Sequence, residues 1–204
     1  MARRGDLGRA EEHVTLVLAS TSPQRRAILE QLRIPFTAVA PRYEEDDPAD
    51  ADPVALVRAH AEGKARSVHA EGSVTLGVDT TVHLDGVVYG KASGREDAER
   101  MLRALSGRTH TVLSGICLVG ATAEMVVEHV VTDVTFRRLV DSEVENYLSS
   151  GEWEGRAGAY AIQGLGGRLV ERIDGDYLNV VGLPGAALVR LLARHAPELL
   201  QIGG

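Results

Sequence analysis

The sequence predicts an α/β fold for this chain. Helix-like and strand-like segments alternate along its length, and such alternation favours a sheet covered by helices over separate all-α or all-β units. The chain has 204 residues, of which 44% are apolar, so it is long enough to bury a substantial core in one large domain or two small lobes. The sequence is that of a folded, globular protein.

Charge and cysteine content argue against several classes of protein. The formal net charge of -7 disfavours general nucleic-acid binding and an electrostatic membrane anchor, because both need an excess of basic residues. A polyanionic ligand would need a local basic pocket or an accompanying metal ion. Cys117 is the only cysteine, so the chain has no intrachain disulfide and no cysteine-rich zinc site. Its apolar sequence context predicts a buried, inert thiol rather than a nucleophile.

Residues 1–12 are polar and charged, which predicts a flexible lead-in before the first strand. They lack the apolar core of a signal peptide, and no apolar run in the chain approaches the roughly 20 residues of a membrane span. We therefore expect a soluble, cytoplasmic protein.

The first strand and helix form a candidate anion-binding site. An apolar run at residues 14–18 predicts a strand, and Ser22 with the proline after it suits the start of a helix. Helix N-termini normally attract acidic residues, yet this first turn carries Arg25 and Arg26. A phosphate held by backbone N–H groups, guanidinium groups and the hydroxyls of Ser20 and Ser22 would explain the pattern. The alternative is a capped surface helix with solvated arginines.

An acidic loop at residues 41–52 follows a predicted strand at 36–40. Charge runs of this kind are usually just solvated. Glu44 and Glu45, however, lie at the end of a strand, where catalytic and metal-binding carboxylates are often placed. Glu45 is therefore a candidate functional carboxylate.

The next segment predicts a helix over residues 53–69. Lys64 lies beside the apolar face of this helix rather than within it. The apolar residues that mark the face by their helical spacing are Val54, Val57, Ala61, Ala65 and Val68.

The stretch at residues 74–91 holds an aspartate in an unusual place. A strand is predicted at 74–78, and Asp85 with the glycine after it predicts a two-residue hairpin turn. Asp79 falls at the strand end among β-branched residues, where aspartate is depleted and costly to bury. Either Asp79 shapes a bend as an Asx-turn, or it directs its carboxylate at a metal ion or a water molecule.

The rest of the chain supplies mostly structural elements. His110 is expected to be a structural hydrogen-bonding residue. A glycine-rich segment at 151–167 contains Arg156, Tyr160 and Gln163, and its glycine density suits a backbone that approaches a ligand closely. The further predicted elements are helices at 95–105, at 142–148 with Ser142 as cap and at 184–195, and strands at 111–119, 125–136, 168–173 and 180–181.

Several separated motifs together resemble one known family. They are Leu-Ala-Ser-Thr-Ser-Pro-x-Arg at 18–25, Gly-Val-Asp-Thr at 77–80, Gly-Lys at 90–91, Met-Leu-Arg-Ala-Leu-Ser-Gly-Arg-Thr-His at 101–110, Gly-Arg-Ala-Gly-Ala-Tyr-Ala-Ile-Gln-Gly at 155–164 and Gly-Asp-Tyr-Leu-Asn-Val-Val-Gly-Leu-Pro at 175–184. In this order and spacing they resemble the Maf family, the septum-formation-inhibitor-like nucleoside triphosphate pyrophosphatases, over residues 14–195.

This resemblance implies both a fold and an activity. The implied fold is an elongated α/β fold with a mixed central sheet, flanking helices and a cleft between two lobes, related to the inosine-triphosphate pyrophosphatase fold. It would form a single domain over residues 13–204. The implied activity is hydrolysis of a nucleoside triphosphate to monophosphate and pyrophosphate with a divalent metal ion, Mg²⁺ or Mn²⁺, often in a homodimer. Membranes and nucleic acids are not among the implied partners.

The resemblance also implies roles for individual residues. Asp79 resembles the catalytic acid–base residue, and Arg25 and Lys91 resemble cations that contact phosphate. Glu45 and Lys64 resemble further polar residues of the cleft. Glu45 and Asp79 offer the hard oxygen donors that Mg²⁺ or Mn²⁺ prefers, and we expect Lys64 to join the phosphate-binding group.

The resemblance also bears on which base the protein selects. Thr80 and Gln163 resemble positions linked to base choice, and the Ala-Ile-Gln-Gly sequence around Gln163 is similar to the dTTP/UTP branch of the family. Gln24 departs from that branch, which commonly has an arginine at its position. The substrate implied is dTTP, UTP or a modified pyrimidine nucleotide, and the resemblance also suggests a link to cleansing of the nucleotide pool or to cell-division arrest. Two alternatives stay open: a nucleotide-binding regulator of cell division without turnover, and a phosphatase that releases orthophosphate.

Overall fold

The computed structural model describes residues 15–46 and 51–201 of the chain. The predicted lead-in at residues 1–12 lies outside the described part. The strands are β1 (Leu16–Ala19), β2 (Phe36–Val39), β3 (Val74–Leu84), β4 (Val87–Tyr89), β5 (Thr109–Val119), β6 (Met125–Phe136) and β7 (Val170–Asp174). The helices are α1 (Pro23–Gln31), α2 (Pro53–Val68), α3 (Arg95–Leu105), α4 (Asp141–Ser149), α5 (Tyr177–Val181) and α6 (Gly185–His195), with 3₁₀ turns at Leu165–Leu169 and Pro197–Leu200.

The strands form one mixed, seven-stranded sheet, as the predicted fold class requires. Its order is β2-β1-β3-β5-β6-β7, and β4 adds to β3 beside this path. The short strand β1 runs parallel to both β2 and β3. The other pairings are antiparallel. The prediction of a mixed α/β fold with flanking helices is confirmed.

Strand β3 is paired continuously along one edge and only in two separate parts along the other. One edge is paired with β5 from Thr75 to His83. The other edge pairs with β1 only as far as Gly77 and with β4 only from Val82 onward. Residues 78–81 therefore have no strand partner on that second edge among the described residues. This interruption is where the candidate site lies.

Helix α2 packs closely on one face of the sheet because glycines lie beneath it. A Cβ atom on Gly77 would lie 2.1 Å from the carbonyl oxygen of Ala61, and one on Gly115 would lie 2.0 Å from that of Val57. No larger residue fits at these positions without moving the helix. Asp79 pairs with Gly115, and paired residues of neighbouring strands project from the same face of the sheet. The Asp79 side chain therefore lies on the face that α2 covers at Gly115.

The apolar core is divided along β3. One cluster includes Val74, Leu76 and Val78 together with residues of β1, α1 and α6. A second cluster includes Val82 and Leu84 together with residues of α3, α4 and the glycine-rich segment. The polar residues at positions 79 and 80 lie between the two clusters in the sequence of the strand. No helix in the described ranges has the length and apolar content needed to cross a membrane.

Some predicted elements differ from the observed ones. Residues 180 and 181 belong to the short helix α5 instead of a strand, because Asp176 caps the helix by accepting a 2.8 Å hydrogen bond from the backbone of Leu178. Helix α4 begins at Asp141 rather than after a Ser142 cap. There the Glu143 side chain accepts from the backbone N–H of Val140 at 3.1 Å and so satisfies the N-terminus instead.

Other predictions are confirmed. The hairpin turn has positive φ values at Asp85 and Gly86, as a tight two-residue turn requires. Cys117 is fully buried, and its burial raises the pKa of the thiol to about 12. A thiol with this pKa carries no appreciable thiolate at neutral pH, so Cys117 is not a nucleophile.

Candidate active site

All the site residues predicted from sequence line a single cavity of about 770 Å³. The cavity opens at the interrupted edge of β3, so residues on both faces of that strand reach it. The predicted residues that line it are Ser20, Ser22, Gln24, Arg25, Glu45, Lys64, Asp79, Thr80, Lys91 and Gln163. They come from distant parts of the chain, and the fold brings them together.

Arg25 is held at the start of α1 by neutral oxygen atoms. Its Nε donates to the carbonyl oxygen of Gly182 at 2.9 Å. Its Nη1 and Nη2 donate to the hydroxyls of Ser20 and Thr80, each at 3.3 Å. Burial lowers the pKa of Arg25 from its ordinary value, while the negative charges of Asp79 and Glu45 oppose this effect. The guanidinium is therefore oriented but has no carboxylate bound to it among the described residues.

The serine residues of this turn act mainly on the backbone. Ser22 is the N-cap of α1, as predicted, and its Oγ accepts from the backbone N–H of Arg25 at 3.4 Å. Ser20 is buried, and its Oγ accepts from the backbone N–H of Ser22 at 3.1 Å. Arg26 is exposed and is not among the residues of the cavity wall. Of the arginines in the first turn, only Arg25 points into the site.

Lys64 joins two carboxylates at the centre of the cavity. Its Nζ lies 2.5 Å from Oδ1 of Asp79 and 2.6 Å from Oε1 of Glu45. The Lys64 side chain is only 9% exposed, that of Asp79 14% and that of Glu45 43%. Lys64 therefore belongs to the buried face of α2, and its predicted position beside that face was wrong. Glu44, by contrast, is exposed and lies outside the cavity wall.

The loop that carries Glu45 is fixed to helix α2 by Tyr43, a residue that sequence reasoning missed. The hydroxyl of Tyr43 lies 3.0 Å from Nδ1 of His60, and the ring covers Gly63, where a Cβ atom would lie 2.2 Å from the ring. The backbone N–H of Arg42 also donates to Ser67 at 3.0 Å. These contacts hold the loop against the helix one turn from Lys64. A tyrosine two residues before a glutamate gave no signal of this role.

Lys91 and the glycine-rich segment form another wall of the cavity. Lys91 is exposed and forms an isolated β-bridge with Ala157. Arg156 and Tyr160, which precede and follow that residue, also line the cavity. The glycine-rich sequence indicated a close backbone approach, but it did not single out Arg156 as a site residue.

The residues predicted to select the base have different surroundings. The hydroxyl of Thr80 lies 2.8 Å from that of Ser114 and donates to the carbonyl oxygen of Gly182 at 3.4 Å, besides its contact with Arg25. Thr80 therefore helps to orient the guanidinium of Arg25. The Oε1 of Gln24 accepts from the Ser22 hydroxyl at 3.1 Å. Gln163 is exposed on the cavity wall.

His110 lies behind this wall in a buried aromatic cluster. Its Nε2 lies 3.0 Å from the hydroxyl of Tyr160, and its ring contacts Phe136 edge-on at a centroid distance of 4.9 Å. Burial lowers the pKa of His110 to about 4, although the charge of Asp133 opposes the shift. The prediction that His110 is a structural hydrogen-bonding residue is confirmed.

We expect His110 to make the stability of the protein depend on pH. Its pKa is about 4 in the folded state, below the ordinary value of 6.5, so the unfolded state binds the proton more readily. The stabilisation is complete above the ordinary value and is lost as the pH falls from there through about 4. Between pH 7.5 and 4.5 the free energy of unfolding should fall by about 2–3 kcal/mol through this residue.

Urea denaturation at the two pH values measures this contribution. His110→Gln should show a smaller loss of stability on acidification than the unsubstituted protein. His129→Gln, which changes an exposed histidine of β6, is the matched control and should keep the full loss. An equal pH dependence in His110→Gln and the unsubstituted protein would contradict the assignment.

The two carboxylates that Lys64 joins each have a second oxygen that could bind a further cation. Glu45 and Asp79 converge on a single ammonium group, and carboxylate oxygens of this kind suit Mg²⁺ or Mn²⁺. The described residues contain no group of three or more acidic, histidine or cysteine side chains placed to hold a metal ion. Mg²⁺ commonly binds through one or two carboxylates plus substrate phosphates and water. The pair therefore fits a metal ion that arrives with a phosphorylated substrate.

Comparisons with known proteins give matches of three kinds: a family model, related sequences and solved structures. The model of the family described as Maf-like protein matches residues 15–195. A protein of Nitratidesulfovibrio vulgaris named dTTP/UTP pyrophosphatase is 43% identical over 190 residues, which cover 92% of this chain and 90% of that protein. A protein of the same name from Moorella thermoacetica is 47% identical over 181 residues, covering 87% and 93%. Among solved structures, a nucleoside-triphosphatase / dITP/XTP pyrophosphatase of Mycobacterium abscessus is 20% identical with a TM-score of 0.40, covering 62% of this chain and 76% of that one.

Proposed function

Because the chain belongs to the Maf-like protein family, we propose that it hydrolyses dTTP, UTP or a related pyrimidine nucleoside triphosphate to the monophosphate and pyrophosphate. The relatives named dTTP/UTP pyrophosphatase supply the substrate class. The observation that carries the proposal is the cavity itself, in which cationic side chains surround a pair of carboxylates bridged by Lys64. A binding protein for polyphosphate would need the cations, but it has no need of carboxylates in the same cavity.

Charge neutralisation is the main task of such a site. A triphosphate is strongly anionic, and cleavage between its α- and β-phosphates adds charge to the pyrophosphate that leaves. The protein as a whole is acidic, with a formal net charge of -7, so the attraction must be local. Arg25 at the start of α1 and Lys91 after β4 supply it without bound carboxylates of their own in the described structure. Their placement fits cations that hold the phosphate chain.

In this proposal Asp79 accepts a proton from the attacking water. Its Oδ1 is taken by Lys64, and no described residue donates a hydrogen bond to its Oδ2. That free oxygen can orient a water molecule towards the α-phosphorus and accept its proton as the bond to phosphorus forms. The bond from the α-phosphorus to the bridging oxygen then breaks, and pyrophosphate leaves. Lys64 keeps the carboxylate in place through the 2.5 Å contact between its Nζ and Oδ1.

A divalent metal ion completes the site in this proposal. Glu45 and Asp79 would hold it, together with oxygens of the substrate. When bound, Mg²⁺ or Mn²⁺ would neutralise phosphate charge and lower the pKa of a water ligand. The residues of the chain would still provide the orientation: Lys64 between the carboxylates, and Tyr43 holding the loop of Glu45 against α2.

The side chains on the cavity wall that could hydrogen-bond to the base of the substrate are the amides of Gln24 and Gln163. Gln163 and Gln24 can each present a donor and an acceptor to the edge of a pyrimidine. In Gln24 the oxygen is already bound by Ser22, so its amide NH₂ group is the part left for a ligand. Thr80 contributes indirectly in this view, by orienting Arg25.

The proposal is tested by identifying the phosphate product. With Mg²⁺ and a panel of normal and modified nucleoside triphosphates, we expect pyrophosphate and the nucleoside monophosphate, with dTTP or UTP among the best unmodified substrates. Release of orthophosphate would indicate a phosphatase instead. Tight binding of the triphosphates without any product would indicate a nucleotide-binding regulator. Either of these results would refute the proposed function.

A further inference from the structure

The glycine-rich segment is fixed against the end of β4. The backbone N–H of Gly158 donates to the carbonyl oxygens of Tyr89 at 2.9 Å and Gly90 at 3.1 Å. Gly158 has a φ of +66°, and a Cβ atom there would lie 2.9 Å from the side chain of Val82. Only glycine combines this backbone conformation with so close an approach. The segment is therefore held rigidly where it meets the cavity.

Arg156 is fixed within this segment by its backbone. Its N–H donates to the carbonyl oxygen of Trp153, and its own carbonyl oxygen accepts from the N–H of Ala159, each at 3.2 Å. Because Ala157, the next residue, bridges to Lys91, the backbone at position 156 lies close to the backbone at position 91, and both residues line the cavity. The backbone thus places the Arg156 side chain on the cavity wall whether or not a ligand is bound.

The guanidinium of Arg156 lacks the partners that such a group normally has. Its Nε is buried and has no hydrogen-bond partner among the described residues. No carboxylate in the described ranges forms an ion pair with it, although Glu154 lines the same cavity. By contrast, Arg137 donates to both Glu143 and a backbone carbonyl. The side chain as a whole is partly exposed, but a buried Nε donor without an acceptor is unfavourable unless a ligand provides one.

We propose that Arg156 binds the phosphate chain of the substrate, as a cation additional to Arg25 and Lys91. The buried Nε without a described partner indicates that a ligand binds here. The identity of that ligand as a substrate phosphate rests on the proposed function. A phosphate offers several anionic oxygens, and a guanidinium binds two of them with parallel hydrogen bonds. Such a ligand satisfies the buried donor and offsets the cost of burying it. Arg156 thereby joins the rigid segment to the substrate.

Equilibrium binding separates this role from a structural one. The probes are a UTP analogue with a non-hydrolysable α,β linkage and inorganic triphosphate, which has neither base nor sugar. We expect Arg156→Gln to weaken binding of both probes by about ten- to a hundredfold, the loss typical of a charge-assisted hydrogen bond. Arg156→Lys should fall between, because lysine keeps the charge but not the paired geometry. Arg168→Gln, the matched control, removes an exposed arginine outside the cavity and should bind both probes normally.

Thermal unfolding of the same variants adds a second readout. Without ligand, Arg156→Gln should be at least as stable as the unsubstituted protein, because no residue in the described part of the chain accepts a hydrogen bond from the guanidinium. The rise in melting temperature on adding the analogue should be smaller in Arg156→Gln. Unchanged binding of both probes would overturn the inference, as would a loss confined to the UTP analogue, since that pattern would place Arg156 at the base or sugar. If the unsubstituted protein binds both probes in an Arg156-dependent way but hydrolyses no triphosphate, the proposed function fails and this inference stands.

Discussion

Replacing Asp79 by asparagine should lower turnover of the preferred triphosphate by about a thousandfold, within the range measured for loss of a general base. Asparagine has nearly the same shape, so the hydrogen bond from Lys64 can persist through the amide oxygen. What is lost is the ability of the second oxygen to accept a proton. The measurement is steady-state pyrophosphate release at saturating substrate.

The control for this prediction tests the fold. Asp174→Asn makes the same change at an exposed position of β7 and should retain normal turnover. The melting temperature of Asp79→Asn should stay within a few degrees of the unsubstituted protein, because the sheet pairing at this position is through the backbone. Turnover of Asp79→Asn close to that of the control would show that another group accepts the proton.

Lys64→Met should have the second largest effect. Without the ammonium group, Glu45 and Asp79 lose the cation that they share, and their like charges repel each other. We expect the repulsion to displace the Asp79 carboxylate, so that turnover falls about a hundredfold, within the range for loss of a positioned general base. The melting temperature should fall as well, and steady-state pyrophosphate release and thermal unfolding measure the two effects.

A double variant distinguishes this electrostatic role from direct phosphate binding by Lys64. In Lys64→Met with Glu45→Gln, only one carboxylate remains, so the melting temperature should rise back towards that of the unsubstituted protein even though turnover stays low. If Lys64 acted only by contacting phosphate, Lys64→Met would bind substrate more weakly, and Glu45→Gln would not raise its melting temperature. A melting temperature that Glu45→Gln leaves unchanged would therefore contradict the proposed role.

The local elements of the fold could be predicted because they depend on short-range chemistry. Ser22 and the proline after it start α1, and glycine after Asp85 closes a tight turn, as predicted. The strand predicted at residues 180–181 was wrong, although the cause is again short-range. Two adjacent β-branched residues favour a strand, but the cap at Asp176 and the positive φ of Gly182 impose a short helix. Neighbouring residues with special geometry outweigh strand propensity there.

The cavity could not be predicted from local patterns because it depends on strand register. Its position follows from β1 pairing with β3 only to Gly77 and β4 pairing only from Val82. No spacing in the sequence specifies that interruption. The burial of Lys64 depends likewise on how closely α2 approaches the sheet over Gly115. The resemblance to the Maf family named residues of the site, whereas the contacts of Tyr43 and Arg156 become visible only in three dimensions.

Hydrolysis in ¹⁸O-labelled water tests the central claim most directly, namely that water activated beside Asp79 attacks the α-phosphorus of a triphosphate held by Arg25 and Lys91. A single turnover of UTP or dTTP should place one labelled oxygen in the nucleoside monophosphate and none in the pyrophosphate. Label in the pyrophosphate would mean attack at the β-phosphorus. Label in orthophosphate would mean attack at the terminal phosphate, and either result would contradict the account.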